Sequence, residues 1–378
     1  MKLTDVVNRI NGNVDRFTTD LEYYIGGEHF NSDELIINKR GVIKENLGKL
    51  GFKFHFAFQD RDVIFMARNP HLRKAGMVRF AGLCSDASYI LRSKDEKIIS
   101  QEFLAVLLQS NHFWDYCESH KVGSVNFANN WSTIANYEFD LPSPEFQKEL
   151  ADKVWAAYEV KQSYLKMIEA TEEMVKAQFI EMFGTINTPQ GKLITLGNLC
   201  NIQRGGSPRP IKDYITNDSN GINWIKIGDT DESMYITKTE ERIKPSGLNK
   251  TRQVYAGDLL LSNSMSFGKP YILKIDGCIH DGWLVLHIND ESVLTQIYLC
   301  AYLSQKSTYM AMSKLASGGV VQNLNSEIVK SLPVILPPIQ KQKEYIALLD
   351  QADKSISELR KSVDAIDKVI KSLINENL

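Results

Sequence analysis

Residues 339–378 read IQKQKEYIALLDQADKSISELRKSVDAIDKVIKSLINENL. From Tyr345 the apolar positions fall at Tyr345, Leu349, Ala352, Ile356, Leu359, Val363, Ile366, Ile370 and Leu373, alternating steps of four and three. That spacing is the a/d seam of a coiled coil, since a 3.5-residue period keeps one apolar stripe facing a partner. Asp353, Lys354, Glu358, Arg360, Lys361, Asp364, Asp367 and Lys368 lie between and predict a solvated face. An isolated seam ordinarily means self-association or simple core packing. A second copy changes that expectation. Shifting the chain back by 195 positions lays Leu336-Pro337, Gln342 and Glu344 over Leu141-Pro142, Gln147 and Glu149 without a gap. A helical stretch, 144–183, follows the earlier copy, with seam positions Leu150, Val154, Ala157, Lys161, Tyr164, Ile168, Thr171, Val175, Gln178 and Met182. Lys161, Thr171 and Gln178 interrupt its apolar character and predict that this helix also faces something polar or another subunit. Pro144 suits a first helical turn and Gly184 a stop.

The chain therefore divides as domain, helix, domain, helix: 1–140, 141–184, 185–335 and 336–378. The expected fold class is α+β, with two α/β domains separated by two long antiparallel coiled-coil helices in a pseudo-twofold internal repeat. In the first domain, strands are expected at Leu35–Ile37, Phe52–Phe58 and Val63–Met66, and a helix at Gln101–Glu118. Strict alternation in Phe52-Lys53-Phe54-His55-Phe56 predicts one buried and one charged face. Residues 123–127 read as a turn into a short strand. In the second domain, Ile194–Gly197 opens the fold and a loop follows at Gln203–Pro210. Strands are expected at Ile222–Ile227, Asp258–Ser262, Tyr271–Ile275 and Trp283–Ile288, and a helix at Leu294–Ser304. Gly318-Gly319-Val320-Val321 mirrors Gly123-Ser124-Val125.

At 378 residues, 43% hydrophobic and 24% charged, the composition is that of a soluble globular chain of two domains with connecting elements. No apolar run approaches a membrane span and Met1–Asp5 has no signal-peptide core, so a cytoplasmic location is expected. Five scattered cysteines without a C-x-x-C pair predict free buried thiols. A net charge of −2 argues against indiscriminate coating of nucleic acid, while leaving room for local basic patches.

Catalytic motifs are absent from the sequence. There is no Gly-rich cofactor loop paired with an Asn/Asp-Pro-Pro-aromatic tetrapeptide, which methyl transfer to a base amine needs; Asn69-Pro70-His71-Leu72 lacks the second proline and the aromatic. No phosphate loop or H-E-x-x-H pair occurs. Asp86 followed by Asp95-Glu96-Lys97 is better explained as a charged turn than as a metal-dependent nuclease site. Basic runs are more informative. Lys39, Arg40, Lys44, Lys49 and Lys53 are opposed only by Glu45, and Arg68, His71, Arg73, Lys74 and Arg79 form an acid-free run. Arg204 and Arg209 flank Gly205-Gly206-Ser207-Pro208, and Arg242, Lys244, Lys250 and Arg252 make a fourth run. Taken singly, each run reads as solvated surface; two per repeat point to duplex contact. Arg and Lys reach phosphates and guanine edges, while Asn249, Gln253, Asn263 and Ser264 suit adenine or sugar. The expected DNA-binding set is Lys39, Arg40, Arg68, Arg73, Lys74, Arg204, Ser207, Arg209, Lys226, Lys250, Arg252, Asn263, Ser264 and Lys269, with no catalytic or metal-binding residues.

With these residues in place, the sequence resembles the specificity subunits of Type I restriction-modification systems along essentially its whole length. Leu336-Pro337-Pro338-Ile339-Gln340-Lys341-Gln342 is similar to that family's Leu-Pro-Pro-x-x-x-Gln start of a helical repeat, and Leu141–Gln147 is a looser copy. Trp224-Ile225-Lys226-Ile227-Gly228-Asp229 resembles its Trp-Ile-x-x-x-Asp strand. Gly257-Asp258-Leu259-Leu260-Leu261-Ser262 through Phe267-Gly268-Lys269 resembles its Gly-Asp-hydrophobic-Ser then Gly-Lys segment. The first domain departs from the pattern, with Arg61-Asp62 standing where Gly-Asp is expected. The resemblance implies a non-catalytic subunit reading a bipartite sequence in double-stranded DNA, one half per domain. It implies two methyltransferase subunits carrying S-adenosylmethionine as partners, a restriction/motor subunit for cleavage, and no cofactor on this chain. Rival readings are the recognition part of a fused restriction-methyltransferase and a coiled-coil adaptor that does not bind DNA.

A helix of roughly 38 residues is about 57 Å long, more than one and a half duplex turns of about 34–36 Å. Paired within the chain, two such helices suit a spacer between half-sites. Inserting four residues into both helices is expected to lengthen the unread gap or abolish binding, as read by sequencing selected duplexes. An unchanged gap would refute the spacer role.

Overall fold

A computed structural model describes residues 1–124, 127–231, 233–263, 267–316 and 324–378. The chain forms two compact units, 1–167 with 358–378, and 168–357. In the first, an antiparallel sheet runs in the order Val7–Ile10, Ser88–Ser93, Val63–Met66, Ala75–Met77. A second sheet joins Gly41–Val42, Tyr23–Ile25, Gly82–Ser85 and Phe54–Phe58, with Tyr23–Ile25 parallel to Gly82–Ser85. The second unit repeats both sheets. Cys200–Arg204, Trp283–Ile288, Leu259–Ser262 and Pro270–Leu273 form one, extended by Tyr235–Ile236. Ile215–Thr216, Glu241–Ile243, Ile222–Ile225, Gly277–Ile279 and Arg252–Val254 form the other, again with one parallel pair, Ile222–Ile225 on Gly277–Ile279. The five cysteines are buried free thiols. Among the described residues no helix is long and apolar enough to cross a membrane, and no cluster of three or more His, Cys, Asp or Glu is placed to hold a metal.

The repeat extends to individual hydrogen bonds. Gln147, at the start of the helix Pro144–Phe183, is buried and donates its side-chain amide to the carbonyls of Ile98 (2.8 Å) and Pro142 (2.9 Å). Gln342, at the start of the helix Ile339–Asn375, is likewise buried and donates to Val293 (2.8 Å) and Pro337 (3.0 Å). Every partner is displaced by the same 195 positions. The N-caps follow suit: Ser100 accepts from the Phe103 N–H and Thr295 from the Tyr298 N–H. Thr295 also donates its N–H and hydroxyl to the Gln342 side-chain oxygen.

Arg61-Asp62 proves to be the same turn as Gly257-Asp258. Both first residues have positive φ, +67° at Arg61 and +98° at Gly257, a region that costs a side-chain-bearing residue steric strain. Asp62 accepts the Gln59 N–H and Asp258 the Tyr255 N–H, each at 2.8 Å. The other carboxylate oxygen meets Arg92 (2.7 Å) in the first unit and His287 (2.9 Å) in the second. Arg61 offsets its backbone conformation with two-pronged bonds to Glu96 and Glu102, whose carboxylates raise its pKa.

Each long helix contributes one segment to each unit. In the first, Leu150, Val154 and Tyr158 share a core with Ile370 and Ile374. In the second, Val175, Phe179 and Phe183 pack with Tyr345, Leu349 and Ala352, and the Phe179 and Tyr345 rings meet edge to face at 5.2 Å. The partner segments run in opposite order, so the pairing is antiparallel. All predicted seam positions are buried or half-buried. At Lys161 the helix does face something polar, as expected. That side chain is 7% exposed and its ammonium lies between Glu34 (2.7 Å) and Asp367 (2.8 Å), with the Tyr158 hydroxyl also on Glu34. Burial alone would lower the Lys161 pKa, but bonds to Asp367 and Glu34 raise it overall. The polar seam position is therefore satisfied inside its own unit rather than by another subunit.

Other expectations shift with local constraints. Leu35–Ile37 makes a single bridge, Ile36 to Met77, instead of a strand. Phe54–Phe58 is a strand, yet a register break between Phe54 and Phe56 removes the alternation, and Phe52 outside it is 75% exposed. The helix predicted over 101–118 is two, Gln101–Leu107 and Asn111–Ser119, because Ser110 caps a new helix through the Phe113 N–H. The second unit breaks its helix at the same place, into Gln296–Leu303 and Lys306–Leu315. The Gly318–Val321 mirror, with Val125 and Asn126 of its counterpart, lies outside the described residues.

Truncating either glutamine orphans two carbonyls. Gln147→Ala and Gln342→Ala are each expected to cost about 2–3 kcal/mol in denaturant unfolding, with Gln342→Ala the larger because Thr295 also loses its acceptor. A change under about 0.5 kcal/mol, the scale of ordinary surface substitutions, would remove the glutamine from this role.

Candidate nucleic-acid interface

The second unit gathers Arg204, Ser207, Arg209, Arg252 and Asn263 around one loop and one turn. Strand Cys200–Arg204 ends in the loop Gly205–Pro210, which lies along the backbone of the turn after Gly277–Ile279. The Gly205 N–H donates to the Trp283 carbonyl (2.9 Å) and the Gly206 N–H to the Ile279 carbonyl (3.2 Å). A Cβ on Gly205 would stand 2.1 Å from the His280 carbonyl oxygen, so only glycine allows this approach. Asp281 crowns the turn. Its carboxylate accepts the Ser207 hydroxyl (2.5 Å) and faces the Arg209 guanidinium (3.6 Å). Its backbone carbonyl accepts Arg204 Nε (3.1 Å) and Asn263 Nδ2 (2.8 Å). Arg252 in turn donates Nε to the Arg204 carbonyl (3.4 Å).

Ser207, Arg209, Lys226 and Lys269 line one open cleft of about 950 Å³, with His280 and Asp281 in its wall. Lys226 pairs with Glu241 at 2.8 Å, and that carboxylate raises its pKa. Lys250 is exposed and bonded to the Tyr214 hydroxyl, its ammonium over that ring. The Ser207 hydroxyl, helped by nearby Arg209, holds Asp281 below the ordinary carboxylate range. His280 is half-buried against Trp224 and Trp283, and both ring nitrogens face backbone N–H groups, Gly282 at 2.7 Å and Ile227 at 3.2 Å. A neutral ring has one accepting nitrogen, so Gly282 holds the shorter bond. Burial pushes the His280 pKa down. Asn263, expected to reach a base or sugar, is instead buried and spent on Asp281. Ser264 lies outside the described residues.

The first unit does not assemble an equivalent set. Arg73 is tied to Asp33 (2.7 Å), Asn111 and the Gln109 carbonyl, and Lys74 to the Gly27 carbonyl (2.8 Å). Both serve the domain's own structure. Arg40 is exposed and stacks over Tyr23 (3.9 Å) and Phe80 (4.7 Å), while Lys39 donates to Asn31. Arg68 is exposed on the segment that bridges Ala128, without a side-chain partner among the described residues. Sequence reasoning missed His280 and Asp281 because an isolated His-Asp pair carries no pattern. The only available signal was register: Asp281 falls 195 positions after Asp86.

Residues 192–366 match the family described as the Type I restriction modification DNA specificity domain. A putative type I restriction enzyme specificity subunit of Haemophilus influenzae is 26% identical over 168 residues, 42% of this chain and 40% of that one. The putative MjaX specificity subunit of Methanocaldococcus jannaschii is 27% identical over 190 residues, 44% of each chain. The matched stretches thus span less than half the length of these curated relatives. A chain from a structure on complex assembly and conformational transition of the type I R-M system aligns over 100% of this chain and 97% of its own, with TM-score 0.61 and 20% identity. The Type-I restriction-modification S subunit from M. genitalium aligns over 99% of this chain and 94% of its own, with TM-score 0.54 and 11% identity. At these identities the likeness to solved structures is one of fold.

His280 supplies a test of the cleft wall. Protonation would set a ring N–H against a backbone N–H, so the fold favours the neutral ring. That contribution is complete above the unfolded pKa of about 6.5 and is lost as pH falls below it. Ring-nitrogen NMR is expected to show His280 titrating below 6.5. His280→Gln should flatten the acid limb of stability without abolishing it, since burial depresses His29 as well.

Proposed function

We propose, for a chain that belongs to the specificity subunits of Type I restriction-modification systems, that it reads a bipartite site in double-stranded DNA, one half per unit. The observation that carries this reading is the repeat itself: two units of one topology, with equivalent turns, and with caps and glutamines at one fixed offset. A duplex read by two copies of one module yields a site of two half-sites separated by unread pairs. In the second unit the exposed Arg204, Arg209 and Arg252 supply base-edge or phosphate contacts, and Lys226, Lys250 and Lys269 mainly phosphate contacts. In the first, Lys39, Arg40 and Arg68 are the available cations, and shape readout carries more of the recognition.

The chain itself has no catalytic role in this reading. Methyltransferase subunits, two by the symmetry of the repeat, carry S-adenosylmethionine, and restriction subunits join for cleavage. This chain determines where both act. Purified chain that methylates DNA alone with S-adenosylmethionine would instead support the fused-enzyme reading.

Methylome sequencing of cells with and without the chain is expected to show one bipartite motif with a fixed gap that vanishes on deletion. An unaltered methylome would overturn the reading. Arg209→Ala should cost about 1–3 kcal/mol of binding and relax one position, whereas Lys269→Ala should reduce the salt slope by about one with base preference intact. Anisotropy titrations across salt concentrations separate the two.

A further inference from the structure

We infer that Asp281 is a positioning residue for base reading in the second unit, holding the loop 204–210 in the conformation that presents Arg204 and Arg209 to the duplex. The inference rests on the DNA-reading function proposed above. An acidic side chain is an unexpected occupant of a face rimmed by Arg204, Arg209 and Arg252, because it repels phosphates. Its pair with Arg209 adds little to stability, since the arginine is 76% and the aspartate 47% exposed. What Asp281 does offer is convergence. Ser207 and Arg209 meet its carboxylate, and Arg204 and Asn263 meet its backbone carbonyl. Four side chains from the reading loop and the neighbouring strand end are thereby referred to one residue.

That residue sits on a rigid base. The Asn263 N–H donates to the Gly282 carbonyl (3.0 Å), and the Trp283 N–H closes the turn on the His280 carbonyl (3.1 Å). The His280 ring accepts the Gly282 N–H within this turn. Gly205 and Gly206 bond the loop backbone to the same turn from the other side. The loop is therefore fixed at two backbone points, and Asp281 fixes its side chains. Arg209, at 3.6 Å and mostly exposed, is free to exchange the carboxylate for a guanine edge or phosphate, while Ser207 keeps the turn and loop joined. The first unit carries the same device in reduced form. Asp86, 195 positions earlier, accepts Lys53 at 3.3 Å, and its own N–H donates to the Lys53 carbonyl. Each unit thus sets one carboxylate at the same turn against one cation.

The experiment uses the full chain with its methyltransferase partner and a duplex pool with a randomised centre, sequenced after selection. Wild type is compared with Asp281→Ala and Asp281→Asn, the latter keeping an acceptor oxygen for Ser207. Asp281→Ala is expected to weaken base preference roughly tenfold in one half-site only, with the other half and the melting temperature unchanged. Asp281→Asn should stay within about threefold of wild type, because the bond to Ser207 survives. Preference unchanged in both halves for Asp281→Ala would overturn the inference while leaving the DNA-reading function standing. Equal loss in both halves with a lowered melting temperature would also overturn it, in favour of a purely structural role. A wild-type chain that enriches no bipartite motif would overturn the function and the inference together.

Discussion

A buried glutamine amide at the start of each long helix is the interaction on which both units depend. One NH₂ group has two donors, and here each donor takes a carbonyl from a different part of the chain. One belongs to the Leu-Pro lead-in five residues earlier, the other to the loop 49 residues earlier that precedes the helix Gln101–Leu107 or Gln296–Leu303. Both carbonyls would otherwise lose their water without gaining a partner, which is costly in a packed interior. The amide therefore fixes where the long helix begins and how the preceding domain abuts it. A second copy of the same amide does the same for the other unit.

The remaining polar groups of the interior follow the same economy, with different side chains meeting the same need. The turn at Asp62 and Asp258 keeps its carboxylate in both units, while the side chain opposite is arginine in one and histidine in the other. The residue before it is arginine or glycine. Arginine is tolerated at positive φ because Glu96 and Glu102 engage its guanidinium. Lys161 shows the same rule in the helical seam, where two carboxylates replace the apolar contact that the period calls for. Each departure from the repeat is accompanied by a local partner that makes it affordable.

The candidate reading face is built differently from the core. Its cations are exposed and lightly held, on short loops that adhere to rigid turns, so contact groups are ordered without being consumed. The two units use this plan unequally. The second concentrates arginines around Asp281, whereas the first spends Arg73 and Lys74 on its own structure and leaves Arg40 on an aromatic platform. Under the proposed function, such unequal cation sets on two units of one topology suit two unlike half-sites.

Much of this was legible in the sequence. The four-three spacing gave both helices, and the fixed offset gave the repeat, because periodicity and register are one-dimensional properties. Lys226, Arg209 and Ser207, singled out from local runs and motifs, line one cleft. The split of the stretch 101–118 into two helices was not legible, because the Ser110 cap competes with an apolar run through a local hydrogen bond. Nor was the fate of Arg73, Lys74 and Asn263, which read as surface contacts and serve as internal struts. Asp281 was invisible for the same reason. The sequence by itself determined the positions of the two long seams and the offset at which the chain repeats. Only the tertiary structure decided which charges are spent inside and which remain free, because that depends on partners brought together from distant parts of the chain.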